Sequence, residues 1–140
     1  MTTDSGFRPA LRVVLMPKDA NPYGIIYGGV ILGYIDQAAF IEAREHGTHR
    51  WVTASVDRVD FHAPVHIGDV VEFLTRTHET GTSSVQVRIR VEAMRYATRD
   101  VVLVTEATLT MVSVNAAGRP IPFNSPPTVT PLVPNPEFAR

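Results

Sequence analysis

Between Gly28 and His46 the chain runs nineteen residues without a proline, and the run is apolar on more than one face. Val30, Ile31, Leu32, Ile35, Ala38, Ala39, Phe40, Ile41 and Ala43 are spread around a predicted helix and are not confined to one stripe. A helix with so wide an apolar surface is enclosed, not laid on an exterior. Gly47 at the following position, with Arg44 and His46 in the last turn, supplies the stop signals. Only that last turn, with Glu42, Arg44, Glu45 and His46, reads as wet. The chain's 140 residues make one domain on size grounds, so the rest of this chain must provide the enclosure.

The rest reads as strand. Residues 10–16 form a first strand, stopped by Pro17 and the polar loop to Pro22. Residues 51–61 are β-branched-rich and end at a turn carrying Pro64, Gly68 and Asp69. Residues 70–77 follow, and then a strict alternation over 85–93 that puts Gln86, Arg88, Arg90 and Glu92 on the wet face. Residues 101–114 close the set at the turn before Gly118. Short connections favour antiparallel neighbours. The fold class is therefore α+β, and one sheet of about five strands covers such a helix only by curling around it. That arrangement is the hot-dog architecture. It still leaves part of the sheet and one helix flank open, which predicts a dimer. Seven of the eleven prolines lie between Pro120 and Pro136. Residues 1–118 are thus read as the folded domain and 119–140 as an irregular tail, either loosely packed or disordered.

Composition narrows the function. Thirteen basic against fourteen acidic residues give a net charge of −1, without the basic excess of a general nucleic-acid binder or a membrane-surface anchor. There is no cysteine, which removes thiol redox chemistry, a cysteine nucleophile and thiolate metal sites. No eighteen-residue apolar run predicts a membrane span, and the first residues lack the pattern of a secretory signal. The expectation is a soluble, cytoplasmic domain.

The residues that bear chemistry lie between 16 and 36. Asp36 sits two turns into the predicted helix, too deep for a cap, with Leu32, Gly33, Ala39 and Phe40 as its helical neighbours. A carboxylate there either faces out of the core through a different helix register, or is a structural Asp tied to backbone donors or a loop, or is a buried base whose pKa burial raises. Gly28 and Gly29 open the helix. They serve a tight turn by conformation alone, or they let a ligand approach free N–H groups suited to an oxyanion or phosphate. Asn21 is a turn residue before Pro22 or an amide able to donate and accept.

Together these residues form the pattern Met16-Pro17-x-Asp19-x-Asn21-x-x-Gly24-x-x-x-Gly28-Gly29, then six residues and Asp36. It resembles the signature of the hot-dog acyl-CoA thioesterases, with the bacterial short-to-medium-chain acyl-CoA hydrolases and the cytosolic long-chain acyl-CoA hydrolase as nearest kin. Val52-Thr53, Asp60-Phe61-x-x-Pro64, Gly68-Asp69-Val70-Val71, Gly81-x-Ser83-Ser84 and Thr105-x-Ala107 follow in order, so the resemblance covers about residues 10–122.

The resemblance implies hydrolysis of an acyl-CoA to a carboxylic acid and coenzyme A by a homodimer or a trimer of dimers. In it Asp36 is the general base or nucleophile, and Asn21 acts opposite it from the other subunit. N–H groups near Gly28 and Gly29 receive the thioester carbonyl, and Thr53 either orients Asp36 or its water or is an ordinary strand residue. Coenzyme A would lie along Gly81, Thr82, Ser83 and Ser84 and near Arg58, Val59, Asp60 and Phe61; for Ser83 and Ser84 an ordinary hairpin exit is the competing explanation. No cofactor is implied beyond coenzyme A itself, which belongs to substrate and product. No metal is implied either, and His46, His49, His62, His66 and His78 read as scattered surface or loop residues. Three positions depart from the kin. Thr82 stands where a basic residue is common, Tyr27 replaces the usual His or Phe before Gly28, and Ile25 replaces a polar residue. Tyr27 and Tyr34 either line an acyl tunnel or pack in the core. Two rivals share the fold: a non-catalytic acyl-CoA-binding module, and a hydratase or dehydratase, which wants a His beside its carboxylate.

Overall fold

The computed structural model describes residues 6–130. Strand β1 (Arg8–Val14) leads through a 3-10 turn at Pro17–Asp19 to helix α1 (Gly28–Arg44), followed by β2 (Arg50–Phe61), β3 (Val70–Thr80), β4 (Ser84–Met94) and β5 (Val101–Val114). The five strands form one antiparallel sheet in the order β1-β3-β4-β5-β2. Helix α1 touches all five, so the sheet does curl around it. Among the described residues no helix is long and apolar enough to cross a membrane.

The strict alternation of β4 places Val85, Val87, Ile89, Val91 and Ala93 in the core, joined by Val71 and Phe73 from β3 and Leu109 and Met111 from β5. Helix α1 meets them with Ile31, Ile35, Ala38, Ala39 and Ala43, which recur every three or four residues and so share a face. The opposite face is not enclosed by this chain. Gly29, Leu32, Gly33, Asp36, Gln37 and Phe40 are exposed along it. Beside that face runs β2, an edge strand twelve residues long on which only Trp51 is buried. The open helix flank expected of one sheet curled around this helix is thus this face.

The last helical turn corrects one expectation. Glu42 is not wet: it is 6% exposed. Its Oε1 accepts from Arg8 Nε at 3.1 Å and Thr75 Oγ1 at 2.9 Å, and its Oε2 from Thr77 Oγ1 at 2.7 Å. Burial pushes the carboxyl pKa up, but the bonds from Thr77, Thr75 and Arg8, with the Arg8 charge, outweigh it and leave Glu42 below its ordinary value.

Two of the five histidines are also not surface groups. His46 is half-buried against Thr77, at 2.8 Å, and His49 is buried. What covers His49 is the proline-rich stretch. Residues 119–130 carry no helix or strand, yet Ile121 N donates to Ser113 O at 2.9 Å and Phe123 N to Thr82 O at 3.1 Å. Residues 131–140 of the predicted tail lie outside the described residues.

Gly47 is a glycine for a different reason from the one its position suggested. Its φ is not positive, so no left-handed cap demands it. A Cβ there would sit 2.5 Å from Phe123 O and 2.8 Å from the His49 ring.

Candidate active site

The sequence-predicted residues fall into two groups on α1. The first lies at its N-terminus, beside a cavity of about 420 Å³ lined by Asn21, Tyr27, Gly28, Phe61 and His62 among others. Asn21 Oδ1 accepts two backbone N–H groups of its own loop, from Tyr23 at 2.9 Å and Ile25 at 3.0 Å. Those two bonds fix which way the amide is turned, and they occupy its acceptor. Asn21 is therefore both the turn residue and a potential donor, with Nδ2 as the atom it can offer. Upstream, Lys18 Nζ lies 3.0 Å from Asp19 Oδ1 and holds that carboxyl below its ordinary value.

Gly28 and Gly29 have no positive φ, so the turn does not require glycine for its conformation. A Cβ on Gly28 would reach only van der Waals distance of the Phe61 ring, 3.5 Å, and one on Gly29 would meet nothing within 4 Å. Tyr27 precedes them without a side-chain cap, so the first N–H groups of α1 stay available at an open surface. The backbone therefore does not favour the conformational reading of this pair, and the space beside it is open.

The second group is Asp36 and Thr53. Asp36 sits eight residues along the helix, about 12 Å further on its axis. It is exposed in its own chain because it points to the uncovered face of α1, so of the alternatives the sequence left open the outward-facing one holds within a protomer. Thr53, on β2, donates its hydroxyl to Asp36 Oδ1. Among the described residues nothing else donates to this carboxylate, so Oδ2 stays open. A bulge between Thr53 and Ser55 breaks the β2–β5 register just beyond this contact; bulges of this kind re-aim a side chain.

The predicted coenzyme A residues do not form one surface within a protomer. Phe61 lines the cavity with Asn21. Arg58, at φ 34°, pairs with Asp60 at 2.7 Å and lies in a separate depression with Arg88 and Glu106, while Val59 packs against the core. Gly81 and Ser84 lie at the far end of the sheet, where Ser84 pairs with Val112, whereas Asp60 pairs with Glu106. Six residues of strand separate these levels, about 20 Å. At that hairpin the Thr82 carbonyl accepts from Phe123 N, and the Ser83 carbonyl accepts from Ser113. His62, read from the sequence only as a surface or loop residue, lines the Asn21 cavity with Ala63 and Val65, which the sequence does not single out. Their only signal was Pro64, which marks a turn and not a wall. Among the described residues, no three His, Asp or Glu side chains cluster as metal ligands would.

Known proteins are similar to this chain in sequence and fold. The model of the thioesterase superfamily matches residues 23–94. The acyl-CoA thioester hydrolase YciA of Escherichia coli K12 is 35% identical over 113 residues, 79% of this chain and 86% of the relative. This chain belongs to the thioesterase superfamily. An uncharacterized acyl-CoA thioester hydrolase of Zymomonas mobilis is 38% identical over 81 residues, a match that spans 58% of this chain and 54% of that protein. The hexameric hotdog fold thioesterase Cj0915 of Campylobacter jejuni superposes with a TM-score of 0.79 at 41% identity, covering 86% of this chain and 92% of that one. The curled sheet around one helix is thus the hot-dog fold of the superfamily, with Asn21, Gly28, Gly29 and Asp36 arrayed along its single helix and the loop before it.

Proposed function

We propose that the chain is an acyl-CoA thioester hydrolase that releases a free carboxylic acid and coenzyme A, and that its active site needs two copies of the chain. The observation that carries this reading is the division of the helix into two half-sites about 12 Å apart along its axis. One offers donors, from the N–H groups at Gly28 and Gly29 and from Asn21 Nδ2. The other offers a base, Asp36, held at one oxygen by Thr53. Neither half is sufficient alone. A second copy laid antiparallel on the open face of α1 brings the Asp36 end of one helix to the Asn21 end of the other, twice over. The exposed β2 edge beside that face is long and unpaired, as an interface strand is before assembly. The named hexameric relative supports a trimer of such dimers.

The chemistry follows from the residue types. The N–H groups and Asn21 Nδ2 stabilise the oxyanion formed when the thioester carbonyl is attacked. Asp36 uses its open Oδ2 either to take a proton from the attacking water or to attack directly, forming an anhydride that water then opens. The C–S bond breaks as coenzyme A departs as a thiolate, which takes up a proton. A thiolate is a good leaving group and needs no strong acid beside it.

Thiol release from a panel of acyl-CoA substrates tests this. Wild-type protein is expected to release coenzyme A, and Asp36→Ala to fold but lose at least about a hundredfold in kcat. Binding without thiol release would make the chain an acyl-CoA-binding module. His62 in the Asn21 cavity is the one feature that favours a hydratase; loss of enoyl-CoA absorbance without thiol release would establish that reading instead.

A further inference from the structure

The stretch from Arg119 to Thr128 is bonded to the chain at several points, and one of them is a buried imidazole. His49 is 4% exposed and both its ring nitrogens are engaged. Nε2 lies 2.7 Å from Phe123 O, and Nδ1 lies 2.8 Å from Thr128 Oγ1. A carbonyl only accepts, so Nε2 is the donor and Nδ1 pairs with the threonine hydroxyl. Thr128 N then donates to Thr48 O at 3.1 Å. Between these ties the Phe123 ring packs against Trp51, at 6.1 Å between centroids, and edge-on against His46, at 5.6 Å. Trp51 Nε1 donates to Gly47 O at 3.0 Å.

We propose that this strap positions the catalytic pair: His49, with Phe123 and Thr128, fixes the start of β2 so that Thr53 meets Asp36. This rests on the reading of Asp36 and Thr53 as reacting machinery. The geometry has three parts. Within one chain, among the described residues, β2 is an edge strand with β5 as its only neighbour, and Trp51 is its only buried side chain. Residues two apart on a strand share a face, so Trp51 and Thr53 move together. Beyond Thr53 the bulge interrupts the register, so the pairing there does not hold the threonine as firmly as a regular ladder would. The segment before Thr53 is held by its ladder to β5 and by the buried Trp51, and what covers Trp51 is Phe123, held by His49. His49 touches neither Asp36 nor substrate. It is a positioning residue, and misplacing a catalytic group by an ångström is enough to cost a large factor in rate.

The test is a cycle of variants on the full chain, read as kcat and KM for acyl-CoA hydrolysis, with folding followed by near-ultraviolet dichroism. His49→Ala is expected to lower kcat about tenfold with KM within about twofold, and Thr128→Val, which removes only the Nδ1 partner, about threefold. His49→Gln, which still donates to Phe123 O, is expected to recover most of the loss. In a Thr53→Ala background the His49→Ala factor is expected to fall below about two, because the group it positions is gone. Equal factors in both backgrounds, or a folded His49→Ala protein with wild-type kcat, would overturn the proposal. If His49→Ala does not fold, Thr128→Val carries the same comparison. A Thr53→Ala protein with wild-type kcat would instead remove the catalytic pair itself, which separates failure of the premise from failure of the strap.

Discussion

Two carboxylates on the same helix, Asp36 and Glu42, have opposite fates. Six residues separate them, which turns them about 120° apart around the axis. Glu42 faces the sheet and is nearly fully buried, yet three side chains from β1 and β3 donate to it. Asp36 faces away, is exposed, and has one donor. A buried charge left unsatisfied costs several kcal/mol, so a carboxylate whose chain supplies every partner is there for the fold. Asp36, with an oxygen open on a face beside glycines, has no such set of partners within its own chain. The two carboxylates differ in the partners the chain gives them as well as in burial.

Four variants break or sharpen that contrast, in descending order of effect. Asp36→Ala is expected to lose at least about a hundredfold in kcat, roughly 3 kcal/mol of barrier, with an unchanged unfolding midpoint. A large drop in that midpoint would make Asp36 the structural residue. Glu42→Ala is expected to do the reverse, with kcat largely kept but stability down by about 2–3 kcal/mol in denaturant unfolding. Equal loss of both would erase the distinction.

The acid limb is a smaller effect with a definite sign. Because the folded-state pKa of Glu42 is lowered, its stabilisation is present above its ordinary value of 4.5 and is lost as pH falls through the depressed value. Glu42→Gln is expected to flatten the fall in stability below pH 4.5; an identical acid limb would show that other carboxylates dominate it. Gly29→Ala is the smallest perturbation. With open space around it and an ordinary φ, it is expected to gain up to about 0.5 kcal/mol of stability while activity falls. Undiminished activity would mean that no ligand approaches there.

The elements were legible because they rest on local periodicity. The alternation over Val85–Ala93 specified both a strand and its buried side, and the apolar run from Val30 to Ala43 specified the helix and its need for cover. The pairing of Asn21, Gly28, Gly29 and Asp36 was legible only as a resemblance in spacing. The rest depends on partners distant in the chain. Glu42 read as wet because its donors are Arg8, Thr75 and Thr77, each more than thirty positions away. His49 read as a surface group because what buries it is a stretch without hydrophobic periodicity. The facing of Asp36 stayed open because a helix apolar on several faces does not reveal its register from periodicity alone.

The division of the active site between two copies is tested most directly by mixing defects. Asn21→Asp keeps an acceptor for the Tyr23 and Ile25 N–H groups but loses the Nδ2 donor. Equal amounts of this variant and of Asp36→Ala, each nearly inactive alone, are dissociated, reassembled and checked for exchange by native mass spectrometry. If each site takes Asn21 from one copy and Asp36 from the other, half the dimers are mixed and each regains one intact site, so about a quarter of wild-type turnover returns. No recovery in verified mixed dimers would place both residues of the site in a single chain and contradict the shared site.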